Sequence, residues 1–206
     1  MGNYPVIVFD FETTGLSPAL GDRGIEIGAV RIENNEVTDS FQSLMNPGFR
    51  VSPFIEAHTG ISNSMIAAAP PCGTVMEKFL EFVADHPLVA HNASFDKKFL
   101  DSELELIARS GNNAMACSML AARRIYPDAP NHQLGTLVNY CRIDTDGIFH
   151  RALADAQMTG HLWVSMIDYI KDVFGIKQVS FEMMQKISKI AKAKVPAYLE
   201  KIAGKQ

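Results

Sequence analysis

The chain has 206 residues, 47% hydrophobic and 20% charged, enough for one well-buried globular domain and unlike a disordered polymer. Its net charge of −4 argues against a protein that coats nucleic acid through a broad basic face. The balance is uneven, because residues 1–170 hold 11 Lys/Arg against 20 Asp/Glu while residues 171–206 hold 8 against 3.

Val6 to Phe9 is a short apolar run ending at Asp10, the pattern of a buried strand that delivers polar residues at its C-terminal edge. Gly24 to Ile32 and Val37 to Met45 flank the polar turn Glu33-Asn34-Asn35-Glu36, so the first three strands are expected to form an antiparallel meander. From Pro53 the pattern turns helical, with Val75, Phe79, Phe82 and Val83 on one face. Leu88 to Ala90 predicts a short strand, Phe95, Phe99, Leu100 and Leu104 a helix, and Ala114 to Ala116 a further brief strand. Helices are expected over Met119–Ile125, Leu134–Tyr140 and Ala152–Ile170. Antiparallel strands followed by alternating strands and helices predict an α/β fold, a mixed sheet flanked by helices. Phe181, Met184, Ile187 and Ala191 recur at helical spacing, and Pro196 opens a last helix with Tyr198, Leu199 and Ile202. Residues 1–172 are therefore read as the main domain and 173–206 as a basic helical appendage packed on it. That basic segment could touch phosphate or a partner, or be only a solvated lysine-rich face.

Cys72, Cys117 and Cys141 are odd in number and lack metal-binding spacing, which predicts buried free thiols in a reducing compartment. Met1 to Val6 lacks the blocks of a signal peptide, and no apolar run is long enough for a bilayer, so a cytoplasmic protein without membrane contact is expected.

Three phrases carry chemistry. In Asp10-Phe11-Glu12-Thr13-Thr14-Gly15, strand alternation points Asp10 and Glu12 to one side, close enough to share a cation, and both are hard oxygen ligands suited to Mg²⁺ or Mn²⁺. A solvated strand end is the plain alternative for an isolated Asp-x-Glu. In His91-Asn92-Ala93-Ser94-Phe95-Asp96, Ser94 is expected to N-cap the helix that holds Asp96 in its first turn, where an acid also simply complements the helix dipole. In His150-Arg151-Ala152-Leu153-Ala154-Asp155, His150 and Asp155 stand about 140° apart around a helix, so the histidine must sit ahead of it, with Phe149-His150 as loop or N-terminal edge. Small Ala152, Ala154 and Ala156 would let that helix pack closely. Converging carboxylates repel one another unless cations sit between them, and a histidine titrating near ~6.5 can take a proton from water.

Together and in this order the three phrases resemble the DEDDh family of metal-dependent 3′-to-5′ exonucleases over about Val6 to Leu162, and its bacterial polymerase III epsilon-like branch in particular. Ile25-Glu26-Ile27-Gly28-Ala29-Val30 and the stretch Leu120 to Pro127 support that branch. Tyrosine would occupy position 151 in the sister subgroup, where this chain has Arg151. The resemblance implies a ribonuclease-H-like fold and two Mg²⁺ or Mn²⁺ ions held by Asp10, Glu12, Asp96 and Asp155, with His150 as general base. It also implies substrate contacts from Thr13, Thr14, Gly15, Leu16, Asn92 and Phe95, and from the segment Ile55 to Ile61 with His58 and Ile61. Asn131-His132-Gln133-Leu134 is read as a helix start. The expected substrate is the 3′ end of single-stranded nucleic acid, DNA first, in proofreading or repair, with a DNA polymerase or repair protein as a possible partner. The alternatives are an exoribonuclease of the RNase T or oligoribonuclease type and a binding module without turnover.

Overall fold

The computed structural model describes residues 5–144 and 150–204. Strand β1 (Val6–Thr13) is the axis of the molecule: β2 (Gly24–Glu33) pairs with it antiparallel, and β4 (Leu88–Ala90) pairs with it parallel on the other side. With β3 (Glu36–Leu44) beyond β2 and β5 (Met115–Cys117) beyond β4, the sheet order is β3-β2-β1-β4-β5. This is the expected meander followed by parallel strands. The β2–β3 hairpin turns on Asn34 and Asn35, both left-handed (φ 52° and 69°), the conformation a two-residue turn between twisted strands needs and one asparagine tolerates.

Period-two alternation along β1 divides the core into two layers. Ile7, Phe9 and Phe11 join Ile27 and Ala29 against helices α3 (Cys72–Val83) and α4 (Ala93–Glu105), through Val75, Phe79, Val83, Phe99 and Leu104. Val6 and Val8 join Val30 and Ile32 on the opposite face, under the long helix α7 (Ala152–Phe174) with Leu162, Trp163 and Met166. Asp10 and Glu12 continue this second row past the point where apolar contacts end. A third cluster, of Ile25, Val51, Ile55, Ile61 and Ile66, lies under α1 (Pro53–Thr59) and α2 (Asn63–Ala68). Ser52 caps α1 by accepting from the Ile55 N–H, Pro53 opens it, and left-handed Gly60 (φ 70°) closes it.

Helices α5 (Ser118–Ile125) and α6 (Leu134–Tyr140) follow β5, and Gln133 stands just ahead of α6, so Asn131 to Leu134 is the expected helix start. Helices α8 (Phe181–Lys189) and α9 (Val195–Ala203) contribute Phe181, Met184, Ile187, Val195 and Leu199 to the cluster that contains Val8 and Trp163. Gln185 donates to the Met115 carbonyl (2.8 Å), and Arg124 to that of Ile190 (2.7 Å).

Several local expectations need correction. Ser94 does not cap α4: Asn92 turns the chain in a left-handed conformation (φ 69°), so the helix begins at Ala93 and Ser94 lies exposed in its first turn. The strand expected at Ala114–Ala116 is Met115–Cys117, set by its register with Leu88–Ala90. Helix α7 runs four residues past Ile170, and α8 ends at Lys189, which leaves Ala191 outside it and exposed. The cysteines are all free, but only Cys72 is buried; Cys117 and Cys141 are half-buried. Phe149, expected beside His150 ahead of α7, lies outside the described residues. Among the described residues no helix is long and apolar enough to cross a membrane.

Candidate active site

The two β1 carboxylates open into a cleft of about 730 Å³ at the C-terminal end of the strand. Asp10, Glu12, Thr13, Thr14, Gly15 and Leu16 line it on one side, Phe54, His58, His91, Asn92 and Phe95 on others, and His150 and Asp155 complete it. Glu12, His150 and Asp155 each offer one ligand atom, and these atoms all lie within 4.8 Å of one another. Asp96 is buried beneath this row, 2% exposed, and accepts the Phe11 N–H at 3.3 Å. The carboxylates from β1, α4 and α7 thus converge.

Without counter-ions the cluster resists ionisation. Burial first, then the nearby Asp96, Asp155, Glu12 and Glu26, hold the Asp10 carboxyl well above its ordinary range. Burial and the Asp155 and Glu26 charges push Glu12 up to about 8, with Arg151 opposing. Burial raises Asp96 to about 7 against the backbone N–H groups it accepts, and Asp155 to about 6 against those of His150 and Arg151. Hard oxygen donors that lose stability through mutual repulsion fit divalent cations, which would restore the charged form.

His150 precedes α7 as its spacing with Asp155 requires. It is left-handed (φ 60°), and its N–H donates to Asp155 Oδ2 (3.0 Å). Its ring packs on His58 (centroids 4.2 Å apart), which in turn stacks on exposed Phe54 (5.8 Å). His91 is held at both ring nitrogens: Nε2 meets the His132 carbonyl at 3.0 Å and so must donate, leaving Nδ1 to accept from the Ser118 hydroxyl (2.9 Å). Burial lowers it to about 4, so it stays neutral.

The Thr14–Ser17 loop is organised by a residue the motifs did not point to. Asp22 accepts from the Thr14 hydroxyl (3.1 Å) and the Ser17 N–H (2.9 Å). A Cβ on Gly15 would lie 2.4 Å from its Oδ1, so any larger residue there would push the Asp22 carboxylate away from the loop. The returning limb is fixed by Glu103, 2% exposed, which accepts from both Arg23 Nε and Nη2 (2.8 Å each) and from the Gly24 N–H (3.0 Å). Gly28 is another such position: a Cβ there would fall 2.1 Å from the Leu153 nitrogen, so α7 rests directly on β2. A charged residue, Glu26, inside the apolar strand Ile25–Val30 was the visible clue to this region.

One expected contact is corrected. Ile61 is 0% exposed and packed with Ile25 and Val51, so its side chain belongs to the core beneath α1 and does not reach the cleft. His58 does line it.

A family model described as "Exonuclease" matches residues 7–162. The chain belongs to this exonuclease family. A DNA polymerase III PolC-type protein of Caldanaerobacter subterraneus subsp. tengcongensis is 39% identical to the exonuclease chain over 174 residues, covering 84% of the chain and 12% of that relative. The corresponding protein of Bacillus cereus is 40% identical over 168 residues, covering 81% and 11%. The exonuclease chain thus spans about an eighth of the length of these curated relatives. In fold it is similar to exonuclease X in complex with 5′ overhanging duplex DNA, with TM-score 0.69, 24% identity, and 89% of this chain and 99% of that one covered. The nuclease domain of 3′hExo, a DEDDh family member bound to rAMP, has TM-score 0.72 at 20% identity, with 81% and 93% covered.

Proposed function

We propose that this exonuclease trims single-stranded DNA from its 3′ end, releasing nucleoside 5′-monophosphates. The observation that carries this reading is the meeting of Glu12, His150 and Asp155 within 4.8 Å in a cleft also lined by Asp10. Asp10, Glu12, Asp96 and Asp155 would hold two Mg²⁺ or Mn²⁺ ions, which when bound supply positive charge to polarise the scissile phosphate and offset the developing negative charge. An imidazole nitrogen of His150 takes a proton from the attacking water as its oxygen bonds to phosphorus and the phosphorus–O3′ bond breaks, the departing O3′ taking a proton from solvent. The Asp155 carboxylate orients that histidine through its backbone N–H. Thr13, Thr14, Gly15 and Leu16 form one wall for the terminal nucleotide, and Asn92, Phe95 and His58 the other. Phe54 adds an exposed aromatic face on which a base can stack.

DNA is preferred over RNA because the curated relatives at 39% and 40% identity are DNA polymerase III proteins. Proofreading or end trimming in the cytoplasm, beside a polymerase or repair protein, follows from the same likeness. Residues 1–172 would carry the chemistry and 173–206 would serve as a basic helical appendage. The test is digestion of matched 5′-labelled DNA and RNA strands with Mg²⁺ or Mn²⁺. Stepwise 3′ shortening of DNA, stopped by EDTA, is expected; faster digestion of RNA would move the substrate class, and no digestion of either would leave a binding module.

A further inference from the structure

We infer that Glu26 and Arg151 form a positioning pair that fixes the His150–Asp155 junction for hydrolysis, an inference that rests on the exonuclease reading above. Glu26 stands directly opposite Glu12 in the β1–β2 register and is 0% exposed. A buried carboxylate needs partners, and this one has four donors: Arg151 Nε (3.1 Å) and Nη2 (2.8 Å), the Ala152 N–H (3.1 Å) and Gln42 Nε2 (2.9 Å). Three of these belong to the two residues that follow His150.

The local backbone shows why such an anchor is needed. Arg151 is the N-cap residue of α7 but makes no side-chain cap bond, so the first N–H groups of a 23-residue helix lack the usual local acceptor. Glu26 supplies one from the neighbouring strand, at the end of the helix where negative charge is favoured. His150 meanwhile holds a left-handed conformation uncommon outside glycine, with its N–H on Asp155. The junction is therefore gripped twice, by Asp155 from within the helix and by Glu26 from the sheet. Neither Glu26 nor Arg151 lines the cleft, so beyond the charge each places near Glu12 they act on the reaction through the orientation of His150 and Asp155.

The test compares Glu26→Gln, Arg151→Lys and Arg151→Ala with Ile187→Ala, a core variant in α8 away from the cleft, all assayed well below their melting temperatures. Glu26→Gln and Arg151→Ala are expected to lower kcat by about 10- to 100-fold with KM within about threefold, and Arg151→Lys to fall between Arg151→Ala and wild type. Ile187→Ala should keep its kcat at a comparable loss of Tm. In the metal-free protein, the His150 ring resonances should move in the Glu26 and Arg151 variants and stay in place in Ile187→Ala. Wild-type kcat with unmoved His150 resonances, or an equal kcat loss in Ile187→Ala, would overturn the inference. Should Glu26→Gln fail to fold, Arg151→Lys decides alone. A wild-type protein that digests neither DNA nor RNA would remove the exonuclease reading, while the resonances would still decide whether the pair positions His150.

Discussion

Gly28→Ala is a one-carbon change with a calculable consequence. The added Cβ would stand 2.1 Å from the Leu153 nitrogen, 2.3 Å from the Ala152 carbonyl carbon and 2.5 Å from the Leu153 Cα. All three are backbone atoms of the first turn of α7, so no side-chain rotation relieves the clash. Reaching an ordinary contact of 3.4 Å requires a displacement of about 1.3 Å between β2 and that turn. Overpacking of this kind costs about 1–3 kcal/mol, which in a chain of this size lowers Tm by roughly 2–12 °C. The same turn carries Asp155 and adjoins His150, and a misplacement near 1 Å can cost about 100-fold in rate. Thermal melts and single-turnover digestion of a 5′-labelled strand measure the two effects. Gly73→Ala is the control: its Cβ would meet only the Cγ2 methyl of Ile107, at 2.8 Å, a side-chain contact on the far side of the sheet, and its rate should match wild type. A Gly28→Ala protein with unchanged Tm and a rate within about twofold of wild type would refute the claim that α7 is held in place by direct contact with β2.

Other perturbations follow from the same geometry. Glu12, Asp96 and Asp155 are raised to about 8, 7 and 6, so their neutral forms are favoured by the metal-free fold; that stability is present at low pH and lost as pH rises through these values. His91, lowered to about 4, acts oppositely, contributing stability above 6.5 that is lost as pH falls towards 4. In EDTA, Tm should therefore rise as pH falls from 8 to 6.5, and at pH 8 Mg²⁺ or Mn²⁺ should raise it; a fall in the first case or no change in the second counts against a repulsive metal-free cluster. Glu103→Gln breaks a buried pair with Arg23 and should cost up to about 3–5 kcal/mol and raise KM more than it lowers kcat, read from denaturant melts and substrate titration. An unchanged KM would show that the Thr14–Ser17 loop does not depend on that pair. Leu199→Ala, at a 1% exposed position of α9, should lose about 2–5 kcal/mol while sparing kcat, and a melt like wild type would show α9 to be dispensable.

Local pattern made much of this molecule readable. Strand alternation already told that Asp10 and Glu12 share a side, and the polar turn Glu33 to Glu36 told how β2 returns. His150 was placed ahead of α7 by angular spacing alone. Long-range partners were less legible, because nothing in a one-dimensional pattern says that Glu26 meets Arg151, that Glu103 meets Arg23, or that Gly28 lies beneath Leu153. The misreading of Ser94 came from treating a helix start as side-chain capping where a left-handed Asn92 turns the chain instead. That of Ile61 came from carrying a contact over from family likeness, whereas its apolar side chain fills the space between α1 and β2.

Stepwise digestion of a 5′-labelled single-stranded DNA with Mg²⁺ or Mn²⁺ by wild type, His150→Ala and Asp155→Ala tests directly whether these residues cut the strand. Wild type should give a 3′-shortening ladder and nucleoside 5′-monophosphates, with the rate reduced about 10²- to 10⁴-fold by His150→Ala and abolished by Asp155→Ala or EDTA. A metal-dependent ladder unchanged by both substitutions would contradict the assignment of this site.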